Sequence, residues 1–404
     1  MRRLVKGLAA PLAFAMVVAA CGSDDGGDSA TTDAPSADSV AESEEPEAAE
    51  DEGAADEGAE DEGAGGEGLA RAEEIVAANL EIPTAIGPTI PLDGTPDTKT
   101  VAWLECSLPS CIAIGVGFQE AMETIGWNLE VISWSTDAAA AFQQAIDLGV
   151  DYVALTGTAP ALVQDQIDAA AEAGIAFFSC FDTADPMGEE NNIWMQCGDE
   201  AGVEIAGNLL ANAIIADSGG TANALMVNIP DFAGLQIEAE GAQAAYDAPC
   251  PDCTFDQLNL TLDQLLAGEA PGAVVAAIQN DPTIDYVHFA FDGLAGGMSS
   301  TLAEAELLDG RNLVGVDYNG PILQEIVDGT QQFWTTNPKA YSAWLMVDGM
   351  ARHALGQENT EERSNAVLPS FLVNDAAVAE PLIPTDGWPG PSDMAAQFAA
   401  LWGV

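Results

Sequence analysis

Polar and aromatic residues cluster after the apolar runs of the chain, where their side chains could hold a small molecule. These clusters are residues 105–110, 134–137, 156–158, 179–183, 228–232, 292–293 and 317–319. Their carboxylates, amides and hydroxyls can exchange hydrogen bonds with a ligand, and their aromatic rings can cover its C–H surface. None of them contains Lys or Arg, which carboxylate and phosphate ligands generally require. The clusters predict a binding site and disfavour an anionic ligand.

Two classes of ligand fit these side chains. A neutral sugar or polyol can donate its hydroxyl protons to Asp and Asn oxygens. A cation such as a polyamine or betaine can pair with the same carboxylates and lie against the rings of Trp134, Phe181, Phe232 or Phe291. The neutral class is favoured by a family resemblance described below.

Residues that commonly carry catalysis are scarce. The chain has two histidines, His288 inside an apolar run and His353 in a later helical pattern. It has no Gly-x-Ser-x-Gly, phosphate-cradling Gly-Lys-Ser or His-Glu-x-x-His motif. We therefore expect no enzyme activity, no cofactor and no metal, with a secreted glycosidase that uses two carboxylates as the enzymatic alternative.

Six cysteines follow Cys21, an even number that indicates disulfides in an exported chain. Proximity along the sequence suggests the pairs Cys106 with Cys111, Cys180 with Cys197, and Cys250 with Cys253. Six cysteines allow about 15 pairings, so the connectivity stays open. The spacing of Cys250 and Cys253 also fits a redox or zinc half-site, but neither a second pair nor a neighbouring His accompanies it.

Strands and helices alternate from Thr100 onward and must position these side chains. Short apolar runs, such as residues 101–104 and 152–155, are separated by amphipathic segments, and the pattern restarts after a helix predicted over 201–215. Such alternation is typical of βαβ units. It predicts an α/β fold with two Rossmann-like lobes, whose ligands bind at the carboxyl ends of parallel strands. The predicted lobes are 99–198 plus 337–366 and 199–336 plus 367–385, with 386–404 as a C-terminal extension.

The charge of the chain excludes classes of partner. It has 66 Asp and Glu against 9 Lys and Arg, a formal net charge of −57 over 404 residues. Because phosphate recognition needs clustered cations, we expect no nucleic-acid partner. The same charge opposes unaided docking on anionic lipid.

The first residues predict export. Arg2, Arg3 and Lys6 precede an apolar run over 8–20, as in a secretory signal peptide, and this run is too short to span a bilayer. Residues 18–22 resemble the bacterial lipobox, which implies a signal peptide over 1–20 and a lipid on Cys21 as the membrane contact at the outer face of the cytoplasmic membrane. Ordinary secretion with nearby cleavage is the alternative.

An acidic segment follows this leader. Residues 22–68 contain no aromatic and no basic residue. Such a segment cannot bury enough apolar surface to offset its ordering entropy. We expect residues 21–75 to form a disordered, self-repelling tether.

Several short motifs together resemble one family of binding proteins. They are residues 117–121, 126–129, 197–202, 241–244, 291–293 and 314–317. In this order and spacing the chain, over about residues 100–356, is similar to the type I periplasmic binding proteins of bacterial ABC importers, the ribose-binding-like group. The resemblance implies a monomer of two lobes, joined by three hinge crossings, that closes on a small molecule and delivers it to an ABC permease.

The resemblance also implies positions for the ligand contacts. Ser107 and Pro109 fall in the first ligand loop, Phe181 or Asp182 where the family grips hydroxyls, and Gln236 near a position where sugar binders often carry Arg. Contacts of the second lobe and hinge fall on Asp292, Asp317 and Thr336 or Asn337. The candidate contacts are Ser107, Pro109, Trp134, Thr158, Phe181, Asp182, Phe232, Gln236, Phe291, Asp292, Asp317 and Asn337.

These observations predict a lipid-anchored substrate-binding protein of an ABC transporter that captures a neutral sugar or polyol for import. A cationic solute, or a receptor that feeds a sensor kinase, is the alternative.

Overall fold

The computed structural model describes residues 61–404, except 182–187, 196, 198–199, 248–249, 337 and 358–365. The predicted signal peptide, Cys21, the tether up to residue 60, Asp182 and Asn337 lie outside the described residues. Within the described part of the chain, no helix combines the length and the apolar character needed to cross a membrane.

A five-stranded parallel sheet forms the centre of the first lobe. Its strands are β1 (Thr100–Glu105), β2 (Asn128–Ser133), β3 (Tyr152–Thr156), β4 (Ala176–Cys180) and β5 (Ile193–Met195), in the order β2-β1-β3-β4-β5. The helices that follow β1, β2 and β3 are α2 (Pro109–Ile125), α3 (Ala138–Leu148) and α4 (Gln164–Ala173). All residues of β3 and β4 are buried, because helices cover both faces of the sheet.

The second lobe contains a six-stranded sheet. Its strands are β6 (Asn223–Asn228), β7 (Thr254–Asn259), β8 (Tyr286–Phe289), β9 (Asn312–Val316), β10 (Trp334–Thr335) and β11 (Leu372–Val373), in the order β11-β10-β9-β8-β6-β7. Only the pairing of β10 with β11 is antiparallel. The helices of this lobe are α5 (Glu200–Ser218), α6 (Ala233–Asp247), α7 (Leu262–Leu266), α8 (Ala270–Asn280), α9 (Asp292–Ala295), α10 (Met298–Glu304), α11 (Gly320–Asp328) and α13 (Ala376–Ala379).

The two lobes repeat one topology. The order β2-β1-β3-β4-β5 of the first sheet recurs as β7-β6-β8-β9-β10 in the second. In each sheet the strand order reverses beside the first strand of the lobe, which places a crevice at the carboxyl ends of the strands. The predicted α/β fold of two Rossmann-like lobes is therefore confirmed.

Three segments near the sheet edges connect the lobes. The chain leaves the first lobe after β5, returns to it after β10 through α12 (Lys339–Ala354), and leaves again before β11. The hinge segments bond to each other, since Thr336 N donates to Phe371 O at 3.1 Å and Cys197 forms an isolated bridge with Val367. On the first lobe α12 packs tightly against α2, where a Cβ on Gly117 would clash with the carbonyl of Ala340.

The helix α1 (Asp61–Ala78) corrects part of the predicted tether. Residues 61–75 were expected to be disordered, but Leu69, Ala72 and Val76 form one apolar stripe that packs into the core of the second lobe. Their spacing of three and four residues is that of one helix face. The prediction of a disordered tether is therefore wrong for residues 61–75. It relied on the acidic composition and did not consider the helical spacing of the apolar residues.

The segment after α1 makes a further crossing between the lobes. Asn79 O accepts a hydrogen bond from Leu372 N at 2.8 Å in the second lobe. Farther along, Ile90 O accepts one from Arg352 Nη2 at 2.8 Å in the first lobe. Residues 79–99 thus run from one lobe to the other beside the hinge.

The C-terminal helix α14 (Met394–Trp402) belongs to the first-lobe core. Phe398 and Trp402 are buried, and Trp402 Nε1 donates to Asp348 Oδ1 at 2.9 Å. Asp348 in turn accepts from Arg352 Nε at 2.8 Å. Since Trp388 packs in the second-lobe core, residues 388–394 make another interlobe crossing. The segment predicted as an extension therefore completes the first lobe.

The structure pairs the same cysteines that the sequence suggested. The Cα atoms are 5.4 Å apart for Cys106 and Cys111, 5.7 Å for Cys180 and Cys197, and 5.3 Å for Cys250 and Cys253. These separations suit disulfides.

Oxidation of these pairs remains a prediction, which non-reducing peptide mapping tests. We expect each cross-linked peptide to join the two members of one pair, because their Cα atoms lie within bonding range in the folded chain. A peptide linking Cys106 to Cys250 would contradict the pairing, as would free thiols at all six positions.

Candidate functional site

Two lobes approach each other closely at the carboxyl ends of their strands. Phe181 follows β4 of the first lobe, and Gly234 lies at the start of α6 of the second. A Cβ on Gly234 would lie 2.7 Å from the carbonyl oxygen of Phe181, so only glycine permits this approach. Gly157 of the first lobe lies near the ring of Phe232 of the second, since a Cβ on Gly157 would be in ordinary van der Waals contact, 3.8 Å from Phe232 Cδ1. These contacts close the cleft along this side.

A small cavity of about 130 Å³ lies between the lobes at this point. Aromatic rings from both lobes surround it: Trp134 and Phe181 from the first, Phe232 and Phe291 from the second. Trp134 Nε1 donates to Leu104 O at 3.2 Å, which fixes this ring. One water molecule needs roughly 10 to 15 Å³ of such cavity volume. The small cavity therefore has room for a small organic group.

The rest of the small-cavity wall comes from six regions of the chain. These residues are Cys106, Leu108, Ser110, Cys111, Ile114, Thr156, Gly157, Gly234, Leu235, Glu238, Ala290, Asp317 and Lys339. Most of these side chains are apolar, so the polar groups are few and each has a fixed place.

A larger and more polar cavity, of about 650 Å³, adjoins the first. Its lining includes Glu120, Asp292, Asn319, Thr336 and Trp388. Asp317 and Lys339 line both cavities. The wall between the two cavities is therefore built from these two side chains.

Lys339 forms ion pairs across the lobes. Its Nζ lies 3.0 Å from Asp317 Oδ2 and 3.5 Å from Asp292 Oδ1, and Asn319 Nδ2 donates to Asp292 Oδ2 at 2.8 Å. Lys339 begins α12 of the first lobe, whereas both carboxylates follow strands of the second. The sequence predicted a site without Lys or Arg, and this was wrong because a lysine outside the strand-end clusters reaches it.

Burial and neighbouring charges shift the pKa values of Asp317 and Lys339. Burial raises the pKa of Asp317 to about 7, with the charge of Asp292 adding to the rise and Lys339 opposing it. Burial lowers the pKa of Lys339, but Asp317 and Asp292 raise it by more, so the net shift is upward. The ammonium therefore stays charged while Asp317 titrates near neutral pH.

Two site residues have strained backbones. Phe181 and Asp317 adopt φ values of 62° and 67°, in the left-handed region that costs most residues free energy. Both follow a strand and line the small cavity. The surrounding structure holds these conformations in order to aim a ring and a carboxylate between the lobes.

A buried carboxyl and a buried imidazole lie behind the small cavity. Glu238 is 2% exposed and His288 is fully buried, with Glu238 Oε1 3.8 Å from His288 Nε2. Neither Glu238 Oε1 nor either ring nitrogen has a hydrogen-bond partner. Burial raises the pKa of Glu238, to which the charge of Asp317 adds, and burial lowers the pKa of His288 to about 3. The imidazole of His288 is accordingly neutral at pH 7, and burial favours the neutral form of the Glu238 carboxyl.

The structure gathers many of the predicted contacts but not all. Trp134, Phe181, Phe232, Phe291 and Asp317 line the small cavity, and Pro109, Asp292 and Asp317 line the larger one. Ser107, Thr158 and Gln236 line neither. Thr336 lines the larger cavity, while Asp182 and Asn337 lie outside the described residues.

The positions of Gln236 and Thr158 outside both cavities follow from the local structure. Gln236 is exposed, because Gly234, Leu235 and Glu238 form the helix face toward the cleft and Gln236 points away from it. After β3, the cavity wall is formed by Thr156 and Gly157 and not by the predicted Thr158, since β3 extends to Thr156.

Two polar residues of the site were missed. Glu238 lies three residues after Leu235 and four after Gly234, which is the signal of a shared helix face. A glutamate between Ile237 and Ala239 in an otherwise buried stripe could have been recognised. Lys339 gave no comparable signal, because only the hinge geometry brings it to the strand ends.

Asp317 predicts a specific pH dependence of stability. Its carboxyl keeps a proton up to about pH 7 in the folded chain but loses it near pH 4 when unfolded. The folded state therefore binds more protons in this window, and the stability due to this group falls as pH rises toward 7. Relative to the unmodified chain, Asp317→Asn should gain thermal stability between pH 5 and pH 8, with the exposed Asp309→Asn as control. A constant difference in Tm between the chain and Asp317→Asn would contradict this reading.

The chain belongs to the periplasmic binding protein family, since residues 110–358 match the periplasmic binding protein domain of that family. With the two-lobe fold, this makes it a type I periplasmic binding protein, as the sequence motifs predicted. A comparison with curated protein sequences finds no significant match. In the described residues, no three His, Cys, Asp or Glu side chains meet in a way that could hold a metal ion.

Solved structures of similar fold come from bacterial transport systems. A solute-binding protein of a 5-methylthioribose transporter from Thermotoga lettingae, in complex with 5-methylthioribose, is 15% identical and has a TM-score of 0.60, covering 77% of this chain and 99% of that one. A carbohydrate transporter from Acidothermus cellulolyticus, with myo-inositol, is 19% identical at a TM-score of 0.58, covering 71% and 98%. An ABC transporter solute-binding protein from Mycobacterium smegmatis, with glycerol, is 19% identical at 0.60, covering 71% and 97%. At these identities the likeness shows the fold.

Proposed function

We propose that the chain captures a small neutral solute, a sugar or related polyol, between its two lobes for an ABC importer. The observation that carries this proposal is the small cavity between the lobes, to which each lobe contributes two aromatic rings. Glu238, Asp317 and Lys339 supply hydrogen-bonding groups at its wall. Aromatic faces beside a few polar groups suit a solute that has both C–H surface and hydroxyl groups.

The ligands of the similar structures support the same class. Those from T. lettingae, A. cellulolyticus and M. smegmatis hold 5-methylthioribose, myo-inositol and glycerol. All three are neutral and hydroxylated. Because the sequence identities are low, they support a ligand class and not a compound.

The ion pairs of Lys339 favour a neutral ligand over a cation. Asp292 and Asp317 would be the carboxylate partners of a polyamine or betaine, but both already pair with Lys339. A second cation would meet the charge of Lys339 in a poorly solvated site, where like charges repel strongly. A neutral solute avoids this repulsion.

Closure of the lobes is the mechanism of capture in this proposal. The contact of Phe181 with Gly234 and the ion pairs of Lys339 both join the two lobes. Opening must break these contacts, and a bound solute adds new ones only when the lobes are closed. The closed form would then present both lobes to a permease.

Export and anchoring form the remaining part of the proposal. Residues 1–20 have the charged start and apolar run of a signal peptide, and residues 18–22 have the pattern of a lipobox. Cys21 would carry the lipid, and the acidic residues after it would separate the lobes from the membrane.

Thermal unfolding of the chain lacking residues 1–20 tests the ligand class. We would compare neutral sugars, polyols, polyamines and betaines, since a ligand at about 100 times its Kd adds about 2.7 kcal/mol to the stability. A rise in Tm with a sugar or polyol supports the proposal. A rise with cations only, or with no member of the panel, would refute the proposed ligand class.

A further inference from the structure

The small cavity is more apolar than an unsubstituted sugar requires. Among the described residues that line it, the polar side-chain groups belong to Ser110, Trp134, Thr156, Glu238, Asp317 and Lys339. The indole N–H of Trp134 already donates to Leu104 O, and Asp317 and Lys339 already pair with each other. A ligand hydroxyl buried without a partner loses its hydrogen bonds to water, which weakens binding. A pyranose or inositol in this cavity would therefore leave hydroxyls against aromatic and aliphatic carbon.

We propose that the ligand is a hydroxylated solute with an apolar substituent, an alkyl, alkylthio or aryl group, and that this substituent occupies the small cavity. The inference rests on the proposed function and specifies its substrate class. The rings of Trp134, Phe181, Phe232 and Phe291, together with Leu235, form the surface on which the substituent packs.

The adjoining cavity provides the place for the hydroxylated part. Asp317 and Lys339 stand between the two cavities, where a carboxylate can accept and an ammonium can donate hydrogen bonds. Beyond them, Asn319 and Thr336 line the larger cavity. The polar part of the solute lies at this wall, and its substituent points among the rings.

Glu238 gives an independent reason to expect a ligand in the small cavity. Its side chain lines the cavity and is almost fully buried, yet Oε1 has no hydrogen-bond partner. Buried polar atoms are nearly always partnered, so an unpartnered carboxyl oxygen on a residue that lines the cavity indicates a missing group. A ligand hydroxyl close to the substituent would donate a hydrogen bond to this carboxyl.

Matched pairs of ligands test whether an apolar substituent strengthens binding. Binding of glucose, galactose and ribose is measured by calorimetry, each beside its n-butyl and phenyl glycoside. Each methylene transferred from water to an apolar site strengthens binding by about fourfold. We expect at least one glycoside to bind about tenfold or more tightly than its free sugar.

A pair of leucine variants tests whether the tighter binding of the glycoside arises in the small cavity. Leu235→Ala removes an apolar side chain from the small cavity, whereas Leu162→Ala removes one that is 71% exposed on the first lobe. Leu235→Ala should lower the preference for the glycoside by about threefold or more. Leu162→Ala should leave the preference unchanged.

The possible results separate this inference from the proposed function. If a free sugar binds as tightly as its glycosides, the ligand needs no apolar substituent and this inference is wrong. The proposed function would still stand. A glycoside preference that Leu235→Ala does not reduce would overturn its placement in the small cavity. Absence of binding by every sugar and glycoside would contradict both.

Discussion

Replacement of Lys339 by Met should destabilise the chain by about 3 kcal/mol at pH 8, because breaking one side of a buried ion pair leaves uncompensated charge. The side chains of Lys339, Asp292 and Asp317 are 14%, 10% and 11% exposed, so water compensates little. Without the ammonium, the two carboxylates of the second lobe lose the cation that both of them contact. Urea unfolding of the variant and the unmodified chain measures the difference.

Lys99→Met is the matched control for this loss. Lys99 also pairs with an aspartate, Asp151, at 3.3 Å, but the two side chains are 29% and 40% exposed. Such surface pairs contribute about 0 to 1 kcal/mol. Equal losses for the two variants would contradict the idea that Lys339 neutralises a buried site between the lobes.

The loss caused by Lys339→Met should also shrink at lower pH. Near pH 5 Asp317 keeps its proton in the folded chain, because its pKa is about 7. Removal of Lys339 raises this pKa further, since the ammonium opposes the rise. A loss that is as large at pH 5 as at pH 8 would show that the lysine acts by packing and not by charge.

Replacement of Trp402 by Ala should destabilise the first lobe by about 3 to 5 kcal/mol, the usual cost of truncating a buried tryptophan. Trp402 is 1% exposed, and its ring stacks on Trp344 with centroids 5.7 Å apart. Its loss also removes the hydrogen bond to Asp348. Thermal or urea unfolding would measure the change.

Removal of Gly403 and Val404 is the control for Trp402→Ala. Both residues are exposed, and Val404 is 52% exposed, so their removal should change stability by less than about 0.5 kcal/mol. A near-neutral Trp402→Ala would mean that α14 contributes little to the stability of the first lobe.

The architecture was predictable because it depends on repeated local patterns. Fully apolar runs such as β3 and β4 mark buried parallel strands, and amphipathic segments between them mark the covering helices. The duplicated strand order follows from two such series. The aromatic rings that line the small cavity were predicted by the same logic, since ligands of open α/β sheets lie beyond the carboxyl ends of the strands.

The missed features depend on contacts between distant parts of the chain. Lys339 reaches Asp292 and Asp317 only because α12 carries it across the hinge. The helix α1 was concealed by acidic composition although Leu69, Ala72 and Val76 have helical spacing. The sequence predicted Gln236 as a contact, but the face of α6 that points to the cleft carries Glu238.

A crystal structure of the chain with the ligand that most raises its Tm tests the central claim most directly. The account predicts one molecule between the lobes, with Trp134 or Phe181 on one side, Phe232 or Phe291 on the other, and Asp317 or Lys339 hydrogen-bonded to it. A ligand bound to a single lobe, or outside both cavities, would contradict capture by closure of the cleft.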